Sequence, residues 1–344
     1  MEPYFIYVGS YADQAHAGIH WLRFDPESGA LSPAGSISGI SNPSFLAFDQ
    51  SRRVLYAVSE CEEGAVVSYQ VNAGGGLTEV SRQSTAGASP CHLALDRTGT
   101  WLAVTNYGGG SVSLFQVRDG GVLDPCADCV QHTGSGPLSN RQEAAHPHST
   151  TTNPTNGQFI VADLGADQIY GYGVDEVGER LVESARTTID PGTGPRHMAF
   201  HPTGSFLYVV GELNSTITTF VFAVETGRFE RRQTVSTLPL DLITHNTTAH
   251  IQVDEAGRFL YCSNRGHDTI ATFSVGAEGT LTQVAWTSCG GQTPRHFARV
   301  QGTPYLIVAL QDSDLIVTMT IGDDGVPHLT GQSVRVESPV CILV

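Results

Sequence analysis

Six side chains in this sequence have the types needed for acid–base chemistry on a carbonyl or anionic substrate: His148, Arg196, Glu212, His250, Arg265 and Arg295. An imidazole or a carboxylate can take a proton from water. A guanidinium can hold a carboxylate or a developing oxyanion through two parallel donors. These residues are spread over almost 150 positions, so no local element can gather them. Their common feature is the place each occupies in a repeated phrase.

The phrase is a small or polar residue plus Pro, an apolar strand, a D-x-x-G-like turn, a second strand ending in a polar residue, then a third strand. It begins at Asn42-Pro43-Ser44, Ser89-Pro90-Cys91, His146-Pro147-His148, Gly194-Pro195-Arg196, Ala249-His250 and Thr293-Pro294-Arg295. Pro43 to Pro90 is 47 residues and Pro147 to Pro195 is 48, while the 57-residue step from Pro90 to Pro147 carries an inserted loop. That period is the length of one propeller blade. A seventh unit is split between the chain ends. Phe5–Ser10 matches a second strand with no first strand before it, and 338–344 matches a first strand with no second strand after it. The two halves make one blade and close the ring, which removes an exposed sheet edge. The expected fold is a single all-β domain over 1–344, a seven-bladed propeller of four-stranded blades.

This architecture brings the six residues together. The start of strand one and the end of strand two should line one mouth of the central channel in every blade. The first position is held by Ser44, Cys91, His148, Arg196, His250, Arg295 and Val340. The second is held by Ser10, Glu60, Asn106, Leu164, Glu212, Arg265 and Leu310. Blades four to seven therefore form an arc of cations with one carboxylate, the pattern of an acid–base site in a concave mouth. The alternative is that Arg and Glu pair across blades as structural bridges.

Composition narrows the partners. The formal net charge is −16, and all 18 basic residues are Arg. Binding to nucleic acid needs clustered basic residues and a favourable field, so neither DNA nor RNA is expected as a partner. The same sign disfavours anionic membranes, and no apolar run approaches the roughly 18–20 residues that span a bilayer. The N-terminus lacks a basic stretch ahead of an apolar one, so no signal peptide is expected. Seven scattered Cys argue against a disulfide framework and fit a reducing cytoplasm.

Other residues carry less. Cys126-Ala-Asp-Cys129 is the only CxxC, with no second close pair to complete a zinc site. His146 and His148 would face opposite sides of a strand, so no metal is expected there. His92, His197 and His296 repeat at one position, as structural hydrogen-bonding partners would. Gly108-Gly109-Gly110 ends a second strand with no helix after it, which makes a turn rather than a phosphate loop. For an anionic substrate, Arg141 and Arg295 are the extra binding candidates, with His250 and Asn106 beside them.

The phrases Tyr7-Val8-Gly9-Ser10-Tyr11, Asn42-Pro43-Ser44, Gly134-Ser135-Gly136-Pro137, Arg141-Gln142, His146-Pro147-His148, Asp163-Leu164-Gly165, Gly194-Pro195-Arg196-His197, Gly211-Glu212-Leu213 and Ser263-Asn264-Arg265-Gly266 together resemble the seven-bladed lactonase family. That family groups propeller-type 6-phosphogluconolactonases with carboxy-cis,cis-muconate cyclase. The resemblance covers nearly the whole chain and implies that His148, Arg196, Glu212 and Arg265 form the site. It implies a hydrolase of a sugar lactone, 6-phosphogluconolactonase-like, working without a cofactor on a small anionic or lactone substrate. A base (His148 or Glu212) would activate water while Arg holds the oxyanion. A muconate cyclase-like isomerase, a lactonase for an unphosphorylated sugar and a non-catalytic binding propeller remain as alternatives. The expected protein is cytoplasmic, a monomer or small homo-oligomer.

Overall fold

The computed structural model describes residues 4–223, 228–242 and 245–344. They form seven four-stranded antiparallel sheets, and the fold is a seven-bladed β-propeller. In chain order the blades run from Leu46 to Ser84 (blade two), Pro90 to Gln131 (three), Pro147 to Thr188 (four), Pro195 to Ser236 (five), Thr247 to Ser288 (six) and Pro294 to Arg335 (seven). Blade one joins Pro339–Leu343 to the three strands between Tyr4 and Ile37, with Tyr7 opposite Leu343 and Gly9 opposite Cys341. The split blade expected from the chain ends is therefore formed.

Strand position explains strand composition. Second strands are packed on both faces and read as continuous apolar runs, as in Val54–Ser59, where every residue is buried. Fourth strands lie at the sheet edge and alternate, as in Arg180–Thr188. The D-x-x-G turns between strands one and two close on themselves. In blade six the Asp254 carboxylate accepts the Phe259 amide at 3.0 Å, and Gly257 supplies a φ of +69°. Residues 107–110 form a turn, as the Gly run predicts.

The chain divides into two compact units, Met1–Gly39 with Ala199–Val221 and Glu230–Val344, and Ile40–Met198 with Phe222–Phe229. In the first, Ile6, Val8 and Phe24 of blade one pack with Ile307, Ala309 and Ile316 of blade seven. In the second, Val54 and Tyr56 of blade two pack with Leu102, Val104 and Phe115 of blade three.

One irregularity recurs. The ladder between strands one and two pairs Pro147 with Asp163 and then Ser149 with Ala162, so His148 is passed over. Cys91, Arg295 and Val340 are passed over in the same way. In blade six, Ala249 and His250 together face Ser263. A bulge re-aims the unpaired side chain out of the ladder. The residue after the proline position is the bulged one in each of these sheets.

Candidate functional site

In the second unit, His148 and Arg196 are 7% and 2% exposed. The His148 ring meets Tyr107 and His197 edge-on, each at 5.5 Å between centroids. Its carbonyl accepts the Cys91 thiol at 3.1 Å, and the Arg196 carbonyl accepts the Ser149 hydroxyl. The first strands of blades three, four and five are thus tied in series at the level of the candidate residues.

His146 has a separate set of partners. Its Nδ1 lies 2.8 Å from the Tyr107 carbonyl and its Nε2 3.0 Å from Glu143 Oε1, while its ring stacks on Tyr107 at 4.5 Å. A backbone amide and this imidazole hold the Glu143 carboxyl below its ordinary range. Tyr107 therefore stands between the two histidines of the His146-Pro147-His148 phrase. Sequence reasoning passed over it. The available signal was its place one residue beyond the end of a second strand, which Tyr11 shares in blade one.

In the first unit, Glu212 and Arg265 form an ion pair, Oε2 to Nη2 at 3.0 Å, with side chains only 5% and 12% exposed. Arg265 also donates to the Thr248 carbonyl at 3.0 Å. The bridge foreseen as an alternative thus exists for Glu212 with Arg265. Paired charges this deep are costly to desolvate and need good geometry to persist. His250 stacks on His296 at 3.9 Å. The Arg295 guanidinium donates to the Tyr11 hydroxyl at 2.8 Å and lies 5.2 Å from that ring's centre.

The other expected residues fall elsewhere. Asn106 is fully buried, and its Nδ2 donates to Ser111 and Ser113 at 3.0 and 2.9 Å, an inter-strand role. Arg141 lies in a turn of the inserted loop, where its amide donates to the Leu138 carbonyl. His92 and His296 accept the amides of Thr150 and Ile342 through Nδ1, the structural use expected of them. Cys126 and Cys129 are free thiols. Among the described residues, no three His, Cys, Asp or Glu side chains are arranged to hold a metal ion, and no helix is long and apolar enough to cross a membrane.

Residues 5–344 match the family described as Lactonase, 7-bladed beta-propeller. The chain belongs to that family. It is similar to a Bacillus subtilis protein named 6-phosphogluconolactonase, 33% identical over 99% of this chain and 98% of the relative. A Formosa agariphila protein of the same name is 30% identical over 91% of each. Among solved structures it resembles the Pseudomonas aeruginosa periplasmic gluconolactonase, with a TM-score of 0.94, 32% identity and 99% of both chains covered. Family membership accounts for the ordered phrases that carry the candidate residues. It does not by itself choose a substrate.

Proposed function

We propose that this protein hydrolyses a sugar lactone, acting as a 6-phosphogluconolactonase or a gluconolactonase, with the chain working as one propeller domain. The observation that carries this reading is the placement of buried His148 and Arg196 on adjacent first strands, tied through the Ser149 hydroxyl and the Arg196 carbonyl. Full-length similarity to relatives bearing these two names supports the substrate class. In this reading His148 takes a proton from water as its oxygen adds to the lactone carbonyl carbon. Arg196 holds the negative oxygen that results. Collapse breaks the ring C–O bond, and the leaving oxygen recovers the proton from His148, giving the hydroxy acid. Glu212 spends one oxygen on Arg265, so its role is to orient that guanidinium, and His148 is the base.

The test is a panel of 6-phosphogluconolactone, gluconolactone and carboxymuconate, following acid release or ultraviolet loss above the spontaneous rate. Hydrolysis of either lactone supports the proposal. Turnover of carboxymuconate alone would reassign the protein as a cycloisomerase. Glu212→Gln keeps the shape and removes the charge, so kcat should fall while substrate binding survives.

A further inference from the structure

Blade four departs from its neighbours just behind His148. After the fourth strands of blades two to seven, one residue donates its amide to the turn that precedes the third strand. Thr85 bonds Gly64, His132 bonds Gly110 and Thr237 bonds Ser215, all at 2.9 Å. In blades two, three and five that residue also meets a residue at or one before the end of the next blade's second strand. In two cases the partners are neutral: the Asn106 amide reaches the Thr85 carbonyl at 3.5 Å, and Thr237 Oγ1 donates to Asn264 Oδ1 at 2.8 Å. Between blades three and four the partners are His132 and Asp163. Their side chains are 1% and 0% exposed, with Nδ1 and Oδ2 2.7 Å apart.

Both oxygens of Asp163 and both ring nitrogens of His132 have partners. Asp163 Oδ1 accepts the amides of His146 at 2.8 Å and Ala166 at 3.0 Å. Oδ2 lies 2.7 Å from His132 Nδ1, and His132 Nε2 lies 2.9 Å from the Tyr172 hydroxyl. The next two residues complete a cradle for the inserted loop. The Leu164 amide donates to the His146 carbonyl at 3.0 Å, and its carbonyl accepts Gln142 Nε2 at 2.9 Å. A side chain on Gly165 would overlap the Ala144 carbonyl oxygen. All three residues of the Asp163-Leu164-Gly165 phrase thus grip the backbone that leads into His148.

A buried carboxylate is an expensive way to join two blades when Thr and Asn suffice elsewhere. We propose that Asp163, held by His132, is the positioning residue for His148: it fixes the His146 backbone and so the bulge that turns the His148 ring out of the ladder. This rests on the reading of His148 as the base. A residue displaced by about 1 Å from its working geometry can cost up to a hundredfold in rate, which sets the scale of the effect.

The test compares Asp163→Ala, Asp163→Asn and His132→Thr by kcat, KM and the His148 imidazole C–H resonance, assigned by its loss in His148→Gln. Asp163→Ala should lower kcat about tenfold with KM nearly unchanged, and should move the resonance. Asp163→Asn keeps an oxygen for both amides and should recover most of kcat. His132→Thr, the residue used after blades two and five, should fall between them. If Asp163→Ala does not fold, His132→Thr carries the same criteria. Wild-type kcat per folded molecule with an unmoved His148 resonance in the folded variants would overturn the proposal. Undiminished activity in His148→Gln would instead overturn the reading of His148 as base. In that case the resonance alone decides whether Asp163 positions the ring.

Discussion

In blades five, seven and one, the residue before the first-strand proline is tied down by an aspartate in the hairpin turn of the preceding blade; in blade four it is not. Asp167 Oδ1 accepts the Gly194 amide at 2.7 Å, Asp268 Oδ1 that of Thr293 at 2.8 Å, and Asp314 Oδ1 that of Ser338 at 2.9 Å. The three aspartates have φ between +52° and +55°, and the residues they hold are also at positive φ. Asp is among the few residues that tolerate that region. At the matching turn of blade three stands Gly110, with φ +65°. An added Cβ there would lie 2.9 Å from the Ala145 carbonyl oxygen. The inserted loop occupies the space an aspartate would need, so the His146 amide turns to Asp163 of its own blade. The lesson is that one steric intrusion moved the clamp, and the replacement clamp put the buried Asp163–His132 pair on the segment that leads into His148.

The largest effect should come from removing the strand that one of these clamps secures. Deleting 338–344 strips blade one of buried Val340, Cys341 and Ile342 and leaves Asp314 without Ser338. Loss of several buried side chains should cost on the order of 5 kcal/mol or more, seen as a sharply lower melting temperature. A truncated protein that melts like the parent would break the closure of blade one.

Arg196 tests chemistry in a blade held by the common clamp. Arg196→Ala should cut turnover about a hundredfold, as when one oxyanion donor is lost, with folding nearly intact. Arg196→Lys should restore only part, because an ammonium lacks the planar two-donor fork. Wild-type turnover in both folded variants would move the protein towards the non-catalytic propeller.

Gly110→Ala asks whether the turn of blade three can accept any side chain. The left-handed φ and the tight contact with Ala145 should together cost about 2 kcal/mol in chemical denaturation. A neutral result would remove the steric reason for the relocated clamp. The smallest effect is expected for Asp314→Ala, which deletes a common clamp distant in sequence from His148, Arg196, Glu212 and Arg265. Stability should fall by about 1 kcal/mol, the worth of the bond to the Ser338 amide, the exposed contact with Arg335 adding little, with unchanged turnover per folded molecule. If its turnover fell as in Asp163→Ala, the contrast between the two kinds of clamp would dissolve.

The repeat, the blade boundaries and the split seventh blade were legible in the sequence alone. They follow from signals a few residues long: apolar runs of strand length, Pro before the first strand, and Gly and Asp where a turn needs positive φ. The candidate residues were legible too, because a repeat assigns every residue a place before any contact is known. Tertiary structure decided what those residues touch. The bulge at His148 depends on strand register, which the sequence pattern does not encode when both faces of a strand are buried. The pairing of Glu212 with Arg265 and the grip of Asp163 on His146 join segments 53 and 17 residues apart. Asn106 is the exception in span, since its serine partners lie 5 and 7 residues away across a tight hairpin. Hydrogen bonds of this kind form only where blades or strands bring a donor and an acceptor within about 3 Å in good alignment. Residue types announced the chemistry available; the packing of strands and blades determined which groups were spent on structure.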